Sequence, residues 1–213
     1  MTKHILEKEY SLQMLERKYD DLLRIRTAGI REWREGREQY NRYEATPYAA
    51  LEALFRSYKI KPHDRVVDFG CGRGRVCFYI HKHFNVPVTG IENNDLTFRE
   101  ALKNKEIYRH KYKHLSAPIR FEYGLAERYP IRPEENVFYF FNPFSLEIFE
   151  QVVYNILHSV KKHPRTVDLI FYYPLPEYHK FLLKKTPFQL INKIKAYEKH
   201  GKYGKFHIYR LDP

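Results

Sequence analysis

Several short stretches of the chain hold residue types that can do chemistry together. The first is Val66-Val67-Asp68-Phe69-Gly70-Cys71-Gly72-Arg73-Gly74-Arg75-Val76. Glycines at alternate positions after an apolar run permit a tight turn and a close approach of a ligand to the backbone. Free amides at the start of the following helix make a polar cradle. Two common occupants do not match the spacing. A dinucleotide loop wants glycine at position 75, where this chain has Arg75, and a phosphate-binding loop ends in Gly-Lys-Ser or Gly-Lys-Thr. Asp68, just before the glycines, repels a pyrophosphate and attracts a ligand ammonium. The pattern favours a cationic, phosphate-free nucleoside.

The second stretch, Val88-Thr89-Gly90-Ile91-Glu92, ends in a carboxylate 22 residues beyond Gly70. An acid at such a strand end can bind both hydroxyls of a ribose. Taken alone, it reads equally well as a solvated strand-end acid or a helix cap. The third is Phe141-Asn142-Pro143-Phe144-Ser145, at the end of an apolar run. Asn142 offers an acceptor and two donors, Pro143 fixes the backbone and leaves its carbonyl available, and Phe144 supplies a flat apolar face. Such a set can hold a planar amino group with its lone pair toward an electrophile, and positioning of this kind lowers a barrier substantially. The plainer reading is a strand-ending turn with Ser145 starting the next helix.

Elements must bring these stretches together. Residues 1 to about 40 read as helix, with Leu12, Leu15, Tyr19, Leu22 and Leu23 near helical spacing and Ile30 and Trp33 continuing the apolar face. Thr46 reads as a cap and Pro47 as the first residue of a helix reaching about Tyr58. From there strands and helices alternate. Strands are expected at 65–69, 86–91, 118–123, 136–141 and 167–172, and helices after the glycine turn and at about 95–112, 146–161 and 176–184. Residues 188–197 and 205–211 can pair as a terminal hairpin around Gly201 and Gly204. Five parallel strands followed by two antiparallel ones place the three stretches at one edge of an open α/β sheet, where ligands bind.

With these residues in view, the chain resembles the class I S-adenosylmethionine-dependent methyltransferases, from about Tyr43 to Tyr172. The resemblance implies a Rossmann-like α/β fold with a seven-stranded, mainly parallel sheet, formed by residues 47–213 behind a helical N-terminal cap of residues 1–46. It implies S-adenosyl-L-methionine as cofactor, its methionine portion held by the loop of Asp68, Gly70, Cys71, Gly72 and Gly74 and its ribose by Glu92. Gly124-Leu125-Ala126-Glu127 stands where the family has Gly-Asp-Ala. With Leu125 in place of the Asp, the backbone near Leu125 and Ala126, or the Glu127 side chain, is left to frame the adenine. Tyr43 and Thr46 resemble an element that closes over the cofactor.

The Asn142 stretch looks like the Asn-Pro-Pro-Tyr motif of amino-methyltransferases that act on adenine, guanine or glutamine nitrogens, with Phe144 replacing the second proline and Ser145 the aromatic residue. It is distantly similar to the Asn-rich fourth motif of lysine methyltransferases. The implied reaction is methylation of a nitrogen in RNA, DNA or protein, with Asn142, Pro143 and Phe144 aligning the acceptor. An oxygen acceptor calls more naturally for a base or a metal, and no acid adjoins Asn142. The departures at Leu125 and Ser145 keep two rivals in play: a non-catalytic cofactor-binding RNA-binding or assembly factor, and a small-molecule methyltransferase.

Composition sets the partners. There are 38 Lys and Arg against 26 Asp and Glu, a formal charge of +12, and aromatics make up 16%. Such a balance favours polyanions, although a solvated basic surface around an aromatic core has the same composition. Arg73 and Arg75 read as solvated residues of a first helical turn. Two cysteines, Cys71 and Cys77, and scattered histidines predict neither a metal site nor a disulfide framework. The start is charged and lacks a signal core, and no apolar run reaches the roughly 18 residues a membrane span needs. The expectation is a cytoplasmic protein without a membrane partner.

Overall fold

A computed structural model describes residues 2–31, 39–199 and 202–213. Seven strands form one sheet in the order β3-β2-β1-β4-β5-β7-β6. They are β1 (Val66–Phe69), β2 (Val88–Glu92), β3 (Ile119–Tyr123), β4 (Val137–Phe140), β5 (Val167–Tyr172), β6 (Gln189–Lys199) and β7 (Lys202–Leu211). The first five run parallel, and β7 enters antiparallel beside β5 with β6 outside it. Strands β1, β4 and β5 are buried along their whole length, which is why they read as apolar runs rather than alternating ones.

The helices are α1 (Thr2–Leu23), α2 (Tyr48–Ser57), α3 (Arg75–Phe84), α4 (Asp95–Lys111), α5 (Leu146–Lys162) and α6 (Pro176–Lys185). Residues of α2, α3 and α4 share one core with one face of the sheet. Those of α5 and α6 share a second core with the other face. The amphipathic stripes of α3 and α5 supply the inward residues, among them Cys77, Phe78, Phe149, Val152 and Val153. Asn94 caps α4 by accepting from the Thr97 amide at 3.0 Å. No helix among the described residues is long and apolar enough to cross a membrane.

The chain departs from its sequence reading at both ends. The first helix stops at Leu23, not near residue 40, and Arg24 turns left-handed at φ 58°. Beyond it the chain is irregular and held by side chains: Asp20 accepts from the Thr27 amide and hydroxyl, both at 2.6 Å, and from the Tyr48 hydroxyl at 2.7 Å. The expected continuation through Trp33 lies outside the described residues. Thr46 does not cap α2. Its hydroxyl is 2.8 Å from that of Tyr139, and Pro47 takes the cap position without a side-chain bond. At the other end β6 and β7 extend into the expected connection of residues 199–204, to Lys199 and from Lys202. Gly204 is a strand residue, where a Cβ would come within 2.6 Å of the Tyr172 hydroxyl oxygen. His200 and Gly201, in the middle of that connection, lie outside the described residues.

Candidate functional site

The loop between β1 and α3 is fixed by its neighbours. The Gly70 and Cys71 amides both donate to the Ile91 carbonyl, at 2.9 and 3.0 Å. Gly72 has φ +56°, and a Cβ there would overlap the Tyr43 ring, so backbone and neighbour both demand glycine. Tyr43 thus lies directly over the loop, its hydroxyl donating to the Thr27 carbonyl at 2.5 Å. Gly74, at φ 89°, is the N-cap residue of α3.

Glu92 ties the loop to the tip of β2. One carboxylate oxygen accepts from the Gly72 amide at 2.8 Å and the other from the Asn94 amide at 2.7 Å. Its carbonyl accepts from the Gly124 amide at 3.0 Å. Burial raises its pKa, while the Asn94 and Gly72 amides pull it down. Asp68 lies deeper, 3% exposed, with the Cys77 thiol 3.5 Å away. Burial pushes its carboxyl up to about 7, against the thiol's opposing pull.

A pocket opens at the carboxyl end of the sheet. Gly70, Glu92, Ala126, Phe141, Pro143, Phe144 and Tyr43 line it, together with residues the sequence did not single out: Arg31, Tyr40, Asn41, Asn93 and Thr97. Cys71, Gly72 and Gly74 shape the loop without lining the pocket, and Asp68 and Thr46 are buried outside the lining. Leu125, Glu127 and Asn142 are also outside the lining; Glu127 faces the Tyr40 hydroxyl at 3.2 Å. Arg31 is held at the wall by Thr97 at 3.0 Å and Glu100 at 2.7 Å. The Asn93-Asn94 pair directly after Glu92 and the Asn94-to-Thr97 capping spacing were the available signals for that wall.

At the end of β4, Asn142 has φ 42°, a left-handed conformation that asparagine tolerates better than most residues. Phe144 is buried, ringed by Phe140 and Tyr40 in edge-to-face contacts at 6.3 and 6.4 Å. The Tyr178 hydroxyl donates to the Phe144 carbonyl. The Pro143 carbonyl is not open. It accepts from the Asn41 amide at 3.0 Å, and the Asn41 side chain donates to the Asn142 carbonyl at 2.8 Å and its side-chain oxygen at 3.1 Å. The Ser145 amide donates to the Gln39 carbonyl at 2.7 Å. Residues 39–43 therefore form a strap over this end of the pocket.

No protein-family model matches the chain. Over 65 residues it is 40% identical to a protein-lysine N-methyltransferase from Saccharolobus islandicus, a match covering 30% of this chain and 40% of that relative. Among solved structures, the human methyltransferase 10 domain containing protein superposes with a TM-score of 0.61 over 96% of this chain and 97% of its own, at 13% identity. An RNA methyltransferase from Salinibacter ruber in complex with S-adenosyl-L-homocysteine gives 0.55 over 79% and 94%, at 15% identity. TrmN from Thermus thermophilus gives 0.52 over 74% of this chain and 47% of its own, at 20% identity. The strand order, the glycine loop after β1 and these superpositions define the class: the chain has the Rossmann-like fold of the class I methyltransferases.

Proposed function

We propose that this chain binds S-adenosyl-L-methionine in the pocket beneath Tyr43 and methylates a nitrogen of a macromolecule. The observation that carries the reading is the convergence on one cavity of Gly70, Glu92, Ala126 and Pro143, drawn from the ends of β1, β2, β3 and β4. The residues fit the cofactor's chemistry: Gly70 and Gly124 in the pocket wall, a buried carboxylate at the expected ribose position, and no phosphate-binding signature. The relatives described as acting on lysine nitrogen and on RNA support the same class of acceptor.

When bound, the cofactor supplies a sulfonium methyl: the acceptor lone pair makes the N–C bond, the S–C pair returns to sulfur, and the nitrogen's proton leaves to solvent. The chain's part is to hold and orient. Glu92 has oxygen lone-pair capacity beyond the backbone amides it serves, available to hydroxyl donors. The Pro143 carbonyl and the Asn142 side-chain oxygen accept hydrogens of an amino group and so aim its lone pair. Asn41 makes these same bonds in the structure. The acceptor amino group takes the place of Asn41, and the strap yields as it enters. Asn142→Ala removes one of the two orienting acceptors. It is expected to lower kcat about tenfold, the loss of roughly one hydrogen bond, with cofactor affinity unchanged by calorimetry.

Asp68 gives the cofactor reading a pH signature. A ligand ammonium beside it requires the ionised carboxylate, while the free protein holds a proton there up to about pH 7. Affinity should rise as pH rises through 7, about tenfold between pH 6 and pH 8. In stability the sign is reversed. The raised pKa contributes stability that is fully present below the unfolded value, near 4, and is lost as pH rises through 7. Calorimetric titration of Asp68→Asn should show weaker binding that no longer follows pH in this window.

The strap also favours a second reading, a cofactor-binding assembly factor that performs no transfer. Incubation with radiolabelled S-adenosylmethionine and cell extract, then separate nuclease and protease digestions, decides between them. Label in a macromolecular fraction supports transfer. Cofactor binding without label in any fraction supports the second reading.

A further inference from the structure

Helix α4 presents a polar stripe to the segment that follows α1. Thr97, Glu100 and Asn104 recur at spacings of three and four and so share one face of the helix. The Asn104 side-chain oxygen accepts from the Arg26 amide at 2.9 Å, and its NH2 donates to the carbonyls of Arg26, at 3.1 Å, and Arg73, at 3.0 Å. Glu100 takes Arg31 on one carboxylate oxygen and Arg73 on the other, both at 2.7 Å. Thr97 takes a second nitrogen of Arg31 on its hydroxyl oxygen, at 3.0 Å. Residues 26–31 are thereby pinned to α4 and, through Glu100 and Asn104, to Arg73 of the glycine loop.

Arg31 ends that segment and lines the cofactor pocket together with Glu92. Its backbone pairs with that of Tyr43, at 2.9 and 3.2 Å. A chain of hydrogen bonds runs from its guanidinium to the carboxylate. Arg31 donates to the Thr97 hydroxyl, which donates to the Asn94 side-chain oxygen at 3.0 Å, and the Asn94 amide donates to Glu92 at 2.7 Å. A guanidinium has five N–H donors, and Thr97 and Glu100 do not exhaust them. Charge adds to the geometry. Glu92 is buried, and burial raises its pKa by penalising the ionised form, the form that accepts donors on both oxygens. The titratable groups that face it are Asp68 at the end of β1, Cys71 in the loop, Tyr43 of the strap, Tyr123 opposite it on β3, and Arg31. Asp68 shares its sign when ionised, while burial keeps the Cys71 thiol and the Tyr43 hydroxyl neutral near pH 7. Arg31 is the cation of this set, and its charge pulls the Glu92 pKa down.

We propose that Arg31 is a positioning residue for the cofactor's ribose, bracing the Glu92 carboxylate for the sugar's hydroxyls through the Thr97–Asn94 relay and through its charge. Thr97 and Glu100 hold it in place for that task. The role rests on the proposed cofactor site, but the coupling of Arg31 to Glu92 can be measured in the empty protein.

The test compares the full wild-type chain with Arg31→Gln and Arg31→Lys by two measurements. The first is carbon NMR titration of the Glu92 carboxyl without ligand. Its midpoint should move to higher pH in Arg31→Gln and stay near the wild-type position in Arg31→Lys, which keeps the charge. The second is calorimetry with 5′-methylthioadenosine. This nucleoside carries the ribose and lacks the ammonium, so ionisation of Asp68 does not enter its binding. Arg31→Gln should weaken it at least about tenfold at pH 6 and by a smaller factor at pH 8, where Glu92 is ionised even without its cation. Arg31→Lys should recover most of the loss at pH 6, though not the fork that reaches both Thr97 and Glu100. An unmoved Glu92 midpoint in Arg31→Gln overturns the proposal. So does a loss of affinity by the same factor at both pH values, the result of a merely structural role. If the wild-type chain binds neither the nucleoside nor S-adenosylmethionine, the cofactor site itself falls. A Glu92 midpoint that still rises in Arg31→Gln then shows that the coupling stands and that the cofactor reading is what failed.

Discussion

Arg75→Met is expected to lower the free energy of unfolding by about 3–5 kcal/mol, the usual consequence of removing one partner from a buried ionic cluster. The guanidinium is 3% exposed at the start of α3. It donates to the Thr27 hydroxyl at 2.7 Å, to the Thr46 carbonyl at 3.2 Å and to Glu16, and stands 3.8 Å from Asp20. Its face lies 4.4 Å from the Tyr48 ring centre. Burial lowers its pKa to about 9, which leaves it charged at neutral pH. It therefore connects α1, the irregular segment after it, and α2 to the first turn beyond the glycine loop. Methionine keeps much of the stem's volume but leaves the Asp20 and Glu16 carboxylates without their cation. The urea midpoint with its m-value measures the loss. A surface arginine would change stability by no more than about 0.5 kcal/mol, and a result of that size would sink the buried-cluster account. Arg75→Lys should fall between, since an ammonium keeps the charge and loses the planar fork that reaches several partners.

The misjudgement of Arg75 from sequence shows what kind of information was missing. The sheet was readable because its central strands are continuous apolar runs whose period and spacing follow from local chemistry. The glycine loop was readable because positive φ and close packing select one residue type, as at Gly72 under Tyr43. Arg75 is different: charge at a first helical turn reads as solvated, and only long-range packing against Glu16, Asp20, Thr27, Thr46 and Tyr48 buries it. The first helix was overextended for a related reason. Residues 24–31 carry no strong breaker except Gly29, and the chain leaves helical form because Asp20 captures the Thr27 and Tyr48 donors. The Asn142 stretch was located correctly at the end of β4, but its left-handed Asn142 and the Asn41 bonds above it depend on a segment 101 residues away. Phe144 was expected to face an acceptor. Most of its surface is spent on Phe140 and Tyr40, because an aromatic residue just past a buried strand stays within the core.

Glu92→Gln should weaken S-adenosylmethionine binding by at least about 100-fold, and the reason lies in how many donors the carboxylate serves. Its two oxygens already accept from the Gly72 and Asn94 amides. Ribose hydroxyls, in the proposed mode, use the remaining lone pairs. A carboxylate can meet four donors; a glutamine amide has one oxygen and an NH2 that can accept nothing. Whichever way the substituted side chain turns, its NH2 meets an N–H of the loop and also loses a hydroxyl. Hydrogen bonds to a charged group are worth about 1.5–3 kcal/mol each, so losing one and distorting the cradle amounts to about 100-fold or more in affinity. Two roles are separable here. If Glu92 only braces the loop, the variant will melt earlier while binding within about threefold of wild type once folded. If it also grips the sugar, the affinity falls far beyond what the change in stability accounts for. S-adenosylhomocysteine shares the ribose and lacks the methyl, so it should suffer the same loss. Calorimetry with both ligands then separates sugar binding from recognition of the sulfonium charge: equal losses support the ribose role, and a loss confined to S-adenosylmethionine would refute it.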